Sequence, residues 1–239
     1  MRPNGSSYTM AAMTHSSNAP SPTDTPSWQV AVVLLVGLLV AVIAVVLGLG
    51  WLLTHPLAHS LGGQENDFSR WIAKQRTSSL TSVSDVGTFI GQTLTGLVAL
   101  GVAGVVFALW RRSLRPLVFV AVGYGALGVI YFLGTTFDER KRPPVKILQS
   151  GLDPNASFPS GHTATATAIA LGIILLTRAY AGAHWRWSLV LLALPLLTLA
   201  SRLYAGAHHV TDVLTALAYA SFWLLASARL LLPSSRDSR

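Results

Sequence analysis

Apolar residues in this chain neither alternate nor recur every third or fourth position over long stretches; they come in blocks. Six blocks stand near residues 29–53, 88–110, 117–134, 162–180, 187–203 and 210–232, separated by shorter polar segments. Each reaches or approaches the roughly 20 residues that a helix needs to cross a bilayer. In lipid every backbone N–H and C=O must find an internal partner, which leaves helices as the economical solution for such blocks. The pattern predicts an all-α protein, a bundle of six transmembrane helices paired as hairpins. The third to fifth blocks are short or interrupted, and Pro195 predicts a kink in the fifth.

The polar segments divide the rest. Residues 1–27 are rich in Ser, Thr, Pro and Asn and read as a disordered cytoplasmic tail. Residues 28–233 form the membrane domain, and 234–239 form a second cytoplasmic tail. The block Gln29–Leu53 is too long for the roughly 7–15 apolar residues of a cleaved signal. Within 54–87, Phe68, Trp71, Ile72 and Leu80 can share an apolar face opposite Arg70, Lys74 and Arg76, which suits a helix lying in the membrane interface.

Composition agrees with this reading. Hydrophobic residues make up 51% of the 239 positions and charged residues only 11%. With no cysteine, disulfides, thiolate metal sites and cysteine nucleophiles are excluded. The net charge of +8 raises the question of nucleic acid, but the distribution of charge answers it. One set of loops holds nine arginines against Asp24 and Asp237; the other holds eight basic residues against seven acidic ones. Short loops rich in Arg stay on the cytoplasmic side. Both termini are therefore expected inside, with loops 54–87, 135–161 and 203–209 on the extracytoplasmic face and no nucleic-acid partner.

Two polar stretches open onto that face, each at the mouth of an apolar block. In SRLYAGAHHVTD (201–212), His208 and Asp212 stand four residues apart. If the last helix begins near Ala207, they lie on one face, and Asp212 accepts from one imidazole nitrogen while the other stays free. His209 then points about 100° away. Arg202 offers a guanidinium fork that suits phosphate oxygens. In ASFPSGHTA (156–164), Ser160 is a good N-cap, Gly161 lets backbone approach a ligand, and the helix start supplies free N–H groups for an anion. His162 stands on that first turn, and Arg142 in the charged run 138–142 adds a second guanidinium. Two histidines, a carboxylate, two arginines and a helix N-terminus are the equipment of nucleophilic phosphoryl transfer: an imidazole attacks phosphorus, cations stabilise the equatorial oxygens, and a second imidazole protonates the leaving oxygen. The two stretches hold no cluster of carboxylates or thiols for a metal, so neither metal nor cofactor is expected.

These stretches resemble motifs of the type 2 phosphatidic acid phosphatases, the superfamily that includes the vanadium-dependent haloperoxidases. Pro159–His162 matches P-S-G-H. Ser201, Arg202, His208 and Asp212 match S-R-x5-H-x3-D without a gap. Arg142 and Pro143 match the end of K-x6-R-P, but Thr135 stands where that motif has lysine. The resemblance spans about residues 29–232. It implies His208 as nucleophile, Asp212 as its orienting partner and His162 as general acid, with Arg142, Arg202, Ser160 and Gly161 around the phosphate. At Thr135 a hydroxyl would donate in place of the ammonium, or Lys141 or Lys146 would reach in.

The expected protein is thus a multi-pass lipid phosphatase of a bacterial plasma membrane with an extracytoplasmic site. It hydrolyses a polyprenyl pyrophosphate, phosphatidylglycerol phosphate or phosphatidic acid through a phosphohistidine. A phosphotransferase using the same site and a non-catalytic lipid-binding relative are the two alternatives.

Overall fold

The structure, a computed structural model, describes residues 27–233. The two expected tails lie outside the described residues, apart from Ser27. Eight α-helices follow in order: α1 (Trp28–Thr54), α2 (Leu61–Lys74), α3 (Ser78–Ile90), α4 (Thr93–Arg111), α5 (Arg115–Phe137), α6 (Gly161–Tyr180), α7 (Ala193–Tyr204) and α8 (Val210–Leu231), with a 3-10 helix at Gly182–Leu192 leading into α7. Among the described residues there is no strand, only an isolated bridge between Arg140 and Ala156. Among the described residues six helical segments are long and apolar enough to span a membrane: α1, α4, α5, α6, the joined 182–204 segment and α8.

α6 sits at the centre, packed against α4, α5, α7 and α8. Its sequence explains the position. From Thr163 to Ala170 every residue is buried, mostly alternating threonine and alanine. Such small side chains let neighbouring backbones approach closely, which drives helix association in lipid. The hydroxyls do not go wanting: Thr167 Oγ1 donates to the Thr163 carbonyl at 2.7 Å. Around α6 the core is filled by Phe119, Ile130, Leu176 and Trp223, and Trp223 Nε1 donates across to the Gly123 carbonyl of α5 at 3.1 Å. The outer faces of α1 and α4 carry exposed Val and Leu, as a lipid-facing surface requires.

Two boundaries differ from the sequence expectation. The second block breaks at Gly91–Gln92: α3 ends there and packs on α7, while the span proper is α4. A Cβ at Gly91 would lie 2.8 Å from the His162 Cβ, so the break also sits hard against the start of α6. Pro195 does not kink a continuous helix. It falls in the first turn of α7, where its missing N–H costs nothing, and the residues before it take the tighter 3-10 path. The polar segment 54–87 is mostly helical, as α2 and α3. On α2, Phe68 and Trp71 are exposed and stacked 5.8 Å apart, whereas Glu65 and Ser69 are buried.

Candidate active site

The link 138–160 runs from α5 to α6 and is stitched onto the α7–α8 turn. Ser160 N–H donates to the Asp212 carbonyl at 3.3 Å, Leu148 N–H to the Ala205 carbonyl at 3.0 Å, and Arg142 Nη1 to the Ala207 carbonyl at 2.5 Å. Gly206, with φ of +70°, makes the tight turn that permits this. The two distant stretches therefore meet at one end of the bundle.

α8 begins at Val210, not near Ala207, with His209 at the N-cap. His208 is thus outside the helix, and its Nδ1 lies 3.8 Å from Asp212 Oδ2, an ion-pair distance but too long for a hydrogen bond. A different acceptor orients the ring: His208 Nδ1 is 2.6 Å from the Ser157 carbonyl. A carbonyl only accepts, so Nδ1 carries the proton and Nε2 keeps the lone pair. Asp212, fully buried, accepts from the Ser157 hydroxyl at 2.6 Å and the His209 N–H at 2.8 Å on Oδ2, and from Arg140 Nη1 on Oδ1. It is also linked to His208 through Ser157, whose hydroxyl it accepts and whose carbonyl meets the ring. His209 also faces Asp212, with Nδ1 3.5 Å from Oδ2, but its Nε2 is engaged by Asn66 of α2 at 3.2 Å. Burial lowers the His208 pKa from its ordinary value to about 4; Arg202 and Arg142 push the same way, while Asp212 opposes them.

Ser160 caps α6, accepting the Thr163 N–H at 3.4 Å. His162, one residue into that helix, has a buried Nε2 with no partner. Arg202 is completely buried; Nη1 donates to Gln149 at 2.6 Å and Thr88 at 3.1 Å, and Nε and Nη2 have no partner. His162, Arg202, His208 and Arg142 are close enough for their charges to act on one another. A buried guanidinium with two empty N–H positions beside an unpartnered imidazole nitrogen is costly unless an anion fills the gap. Gly161 presses against the Tyr131 ring, where a Cβ would stand 3.0 Å from Cε2.

The remaining expected contacts behave differently. Arg142 donates to three backbone carbonyls, those of Asp153, Ala207 and Ala156, so it braces the loop as well as supplying charge. The Thr135 hydroxyl is directed at its own helix, at the carbonyls of Tyr131 and Phe132, 3.0 and 3.1 Å away. It does not donate toward the cluster, as a threonine in a helix finds the preceding-turn carbonyl first. Lys141 lines a cavity of about 420 Å³ shared with Asn66, Arg140 and His209, and Lys146 is exposed. Sequence reasoning missed Ser157, Arg140, Gln149 and Glu65. Ser157 lies within the quoted stretch and Arg140 within the charged run, but Gln149 and Glu65 carry no local signal.

Fold and cluster together define a polytopic, all-helical membrane protein with a buried cluster of histidines and arginines at one end of its bundle. The sequence pattern of the PAP2 superfamily matches residues 113–235, more than half of the chain, and the chain belongs to that superfamily. In structure it is similar to the transmembrane PAP2-type phosphatidylglycerolphosphate phosphatase from Bacillus subtilis, with a TM-score of 0.63 and 20% sequence identity over 83% of this chain and 91% of that one. At that identity the likeness establishes a shared fold. Comparison with curated proteins gives no match.

Proposed function

We propose that this membrane protein hydrolyses the terminal phosphate of a lipid phosphomonoester or pyrophosphate, with His208 as nucleophile. The observation that carries the reading is the set of unpartnered buried nitrogens, His162 Nε2 and Arg202 Nε and Nη2, beside an imidazole whose Nδ1 is fixed by the Ser157 carbonyl. His208 Nε2 forms a bond to phosphorus as the P–O bond to the lipid breaks. His162 delivers a proton to the departing oxygen and then takes one from the water that cleaves the phosphohistidine. Arg202, the first-turn N–H groups of α6 and Arg142 hold the equatorial oxygens. The charge distribution of the loops favours the extracytoplasmic face for the site.

The direct test is phosphate release in detergent from phosphatidic acid, phosphatidylglycerol phosphate and farnesyl pyrophosphate, with and without EDTA. Release from at least one, unchanged by the chelator, is expected. No release from any of the three, or loss of release on chelation, speaks against the scheme. The pH dependence offers a second check. The nucleophile must be neutral, and its second proton, on Nε2, is held only below about pH 4, against about 6.5 for an ordinary imidazole. The value of kcat/KM, which reports the ionisations of the free protein, should therefore hold as pH falls from 6.5 to 5 and collapse only nearer 4. A half-maximal rate at the ordinary imidazole value would show that His208 is not the group being titrated.

A further inference from the structure

Glu65 is a carboxylate only 5% exposed, on α2, whose outward side carries Phe68 and Trp71. The resemblance and the scheme above give it no task. Its Oε1 accepts from both the backbone N–H and the hydroxyl of Thr211, at 2.7 and 2.9 Å, in the first turn of α8. Its Oε2 accepts from Arg140 Nη2 at 2.6 Å. Arg140, itself buried, turns its other terminal nitrogen to Thr211 Oγ1 at 2.7 Å and to Asp212 Oδ1. Asp212 holds the Ser157 hydroxyl, and the Ser157 carbonyl holds His208. Every step from Glu65 to the imidazole is therefore a hydrogen bond or a covalent link.

A buried carboxylate–guanidinium–carboxylate set is a poor way to gain stability, since desolvating three charges offsets most of their attraction. It does something that an apolar contact does not. Arg140 is shared between two carboxylates, so Asp212 is not fully neutralised by it, and the first turn of α8 is clamped from outside the bundle. We propose that Glu65 is a positioning residue: through Arg140 and Thr211 it fixes Asp212 and the start of α8, and through them the ring of His208. The inference rests on the reading of His208 as nucleophile.

The test is steady-state phosphate release from short-chain phosphatidic acid by the full chain in detergent, with melting temperatures recorded alongside. Glu65→Gln keeps the shape and removes the charge; kcat should fall about tenfold with KM within about twofold, the scale of one charged hydrogen bond. Glu65→Asp should recover part of kcat. Arg140→Lys should lower kcat as well, and the double variant should be no worse than the poorer single one, because both act on one connection. Unchanged kcat in Glu65→Gln, a loss that appears only in KM, or strictly additive losses would overturn the proposal. If His208→Ala is inactive while Glu65→Gln is fully active, only this inference fails. If His208→Ala is active, the nucleophile reading fails and this one with it.

Discussion

Replacing His208 with alanine lowers phosphate release by at least about four orders of magnitude, the scale on which covalent enzymes lose rate when the nucleophile goes. Arg202, Arg142 and the α6 N-terminus survive the change, so lipid phosphate still binds, and the small residual rate comes from electrostatic stabilisation of direct attack by water. The protein should stay folded, since His208 makes one orienting bond, to the Ser157 carbonyl, and the helix cap built by Asp212 and the His209 N–H is untouched. Two measurements check it. Steady-state release gives the loss. Brief incubation with substrate labelled in its phosphate and denaturation in alkali, where phosphohistidine persists, should give labelled wild-type protein and unlabelled variant. Activity within about tenfold of wild type removes His208 from the chemistry.

Arg202→Met is the second large effect, and it acts in opposite directions on rate and on stability. The side chain lies wholly inside the protein, with Nη1 satisfied by Gln149 and Thr88 and the other two nitrogens open. Without an anion, that charge is desolvated and incompletely paired, a state costing several kcal/mol by general estimates. Methionine fills a similar volume with no charge to bury. The variant should melt no lower than wild type, and higher when phosphate is absent, while kcat falls by roughly 10²–10³-fold through loss of one transition-state clamp. Inorganic phosphate or vanadate should raise the melting temperature of wild type by mass action and leave that of Arg202→Met unmoved. Equal stabilisation of both proteins would place the anion elsewhere.

Much of this architecture was legible in the residues because lipid imposes so simple a rule. Six apolar blocks became six spans, since a backbone in hydrocarbon has few other ways to satisfy itself. The errors lie where polar residues decide the path. Nothing in the apolar count separates α3 from α4, because the break at Gly91–Gln92 is set by close contact with His162 and Thr198. Pro195 was visible, but whether it bends a helix or opens one depends on the 3-10 segment before it.

The centre was legible to a similar degree. Sequence spacing singles out His208, Asp212, Arg202, Ser160 and His162, and the folded chain gathers them at one end. The assumed i to i+4 bond did not form, because the turn at Gly206 starts α8 three residues later and leaves His208 to a carbonyl of the other stretch. Glu65 and Gln149 come from segments with no motif at all. Only the three-dimensional path sets Glu65 against Thr211 and Arg140, and Gln149 against Arg202, so no local pattern announces them.

Thr135 has one more consequence. Its hydroxyl proton is turned back into its own helix, so the position offers neither positive charge nor a donor. On the proposed reading this leaves Arg202 and Arg142 to balance the head group. A diphosphate brings roughly one more negative charge than a monoester, so phosphate release from phosphatidic acid should outpace release from farnesyl pyrophosphate.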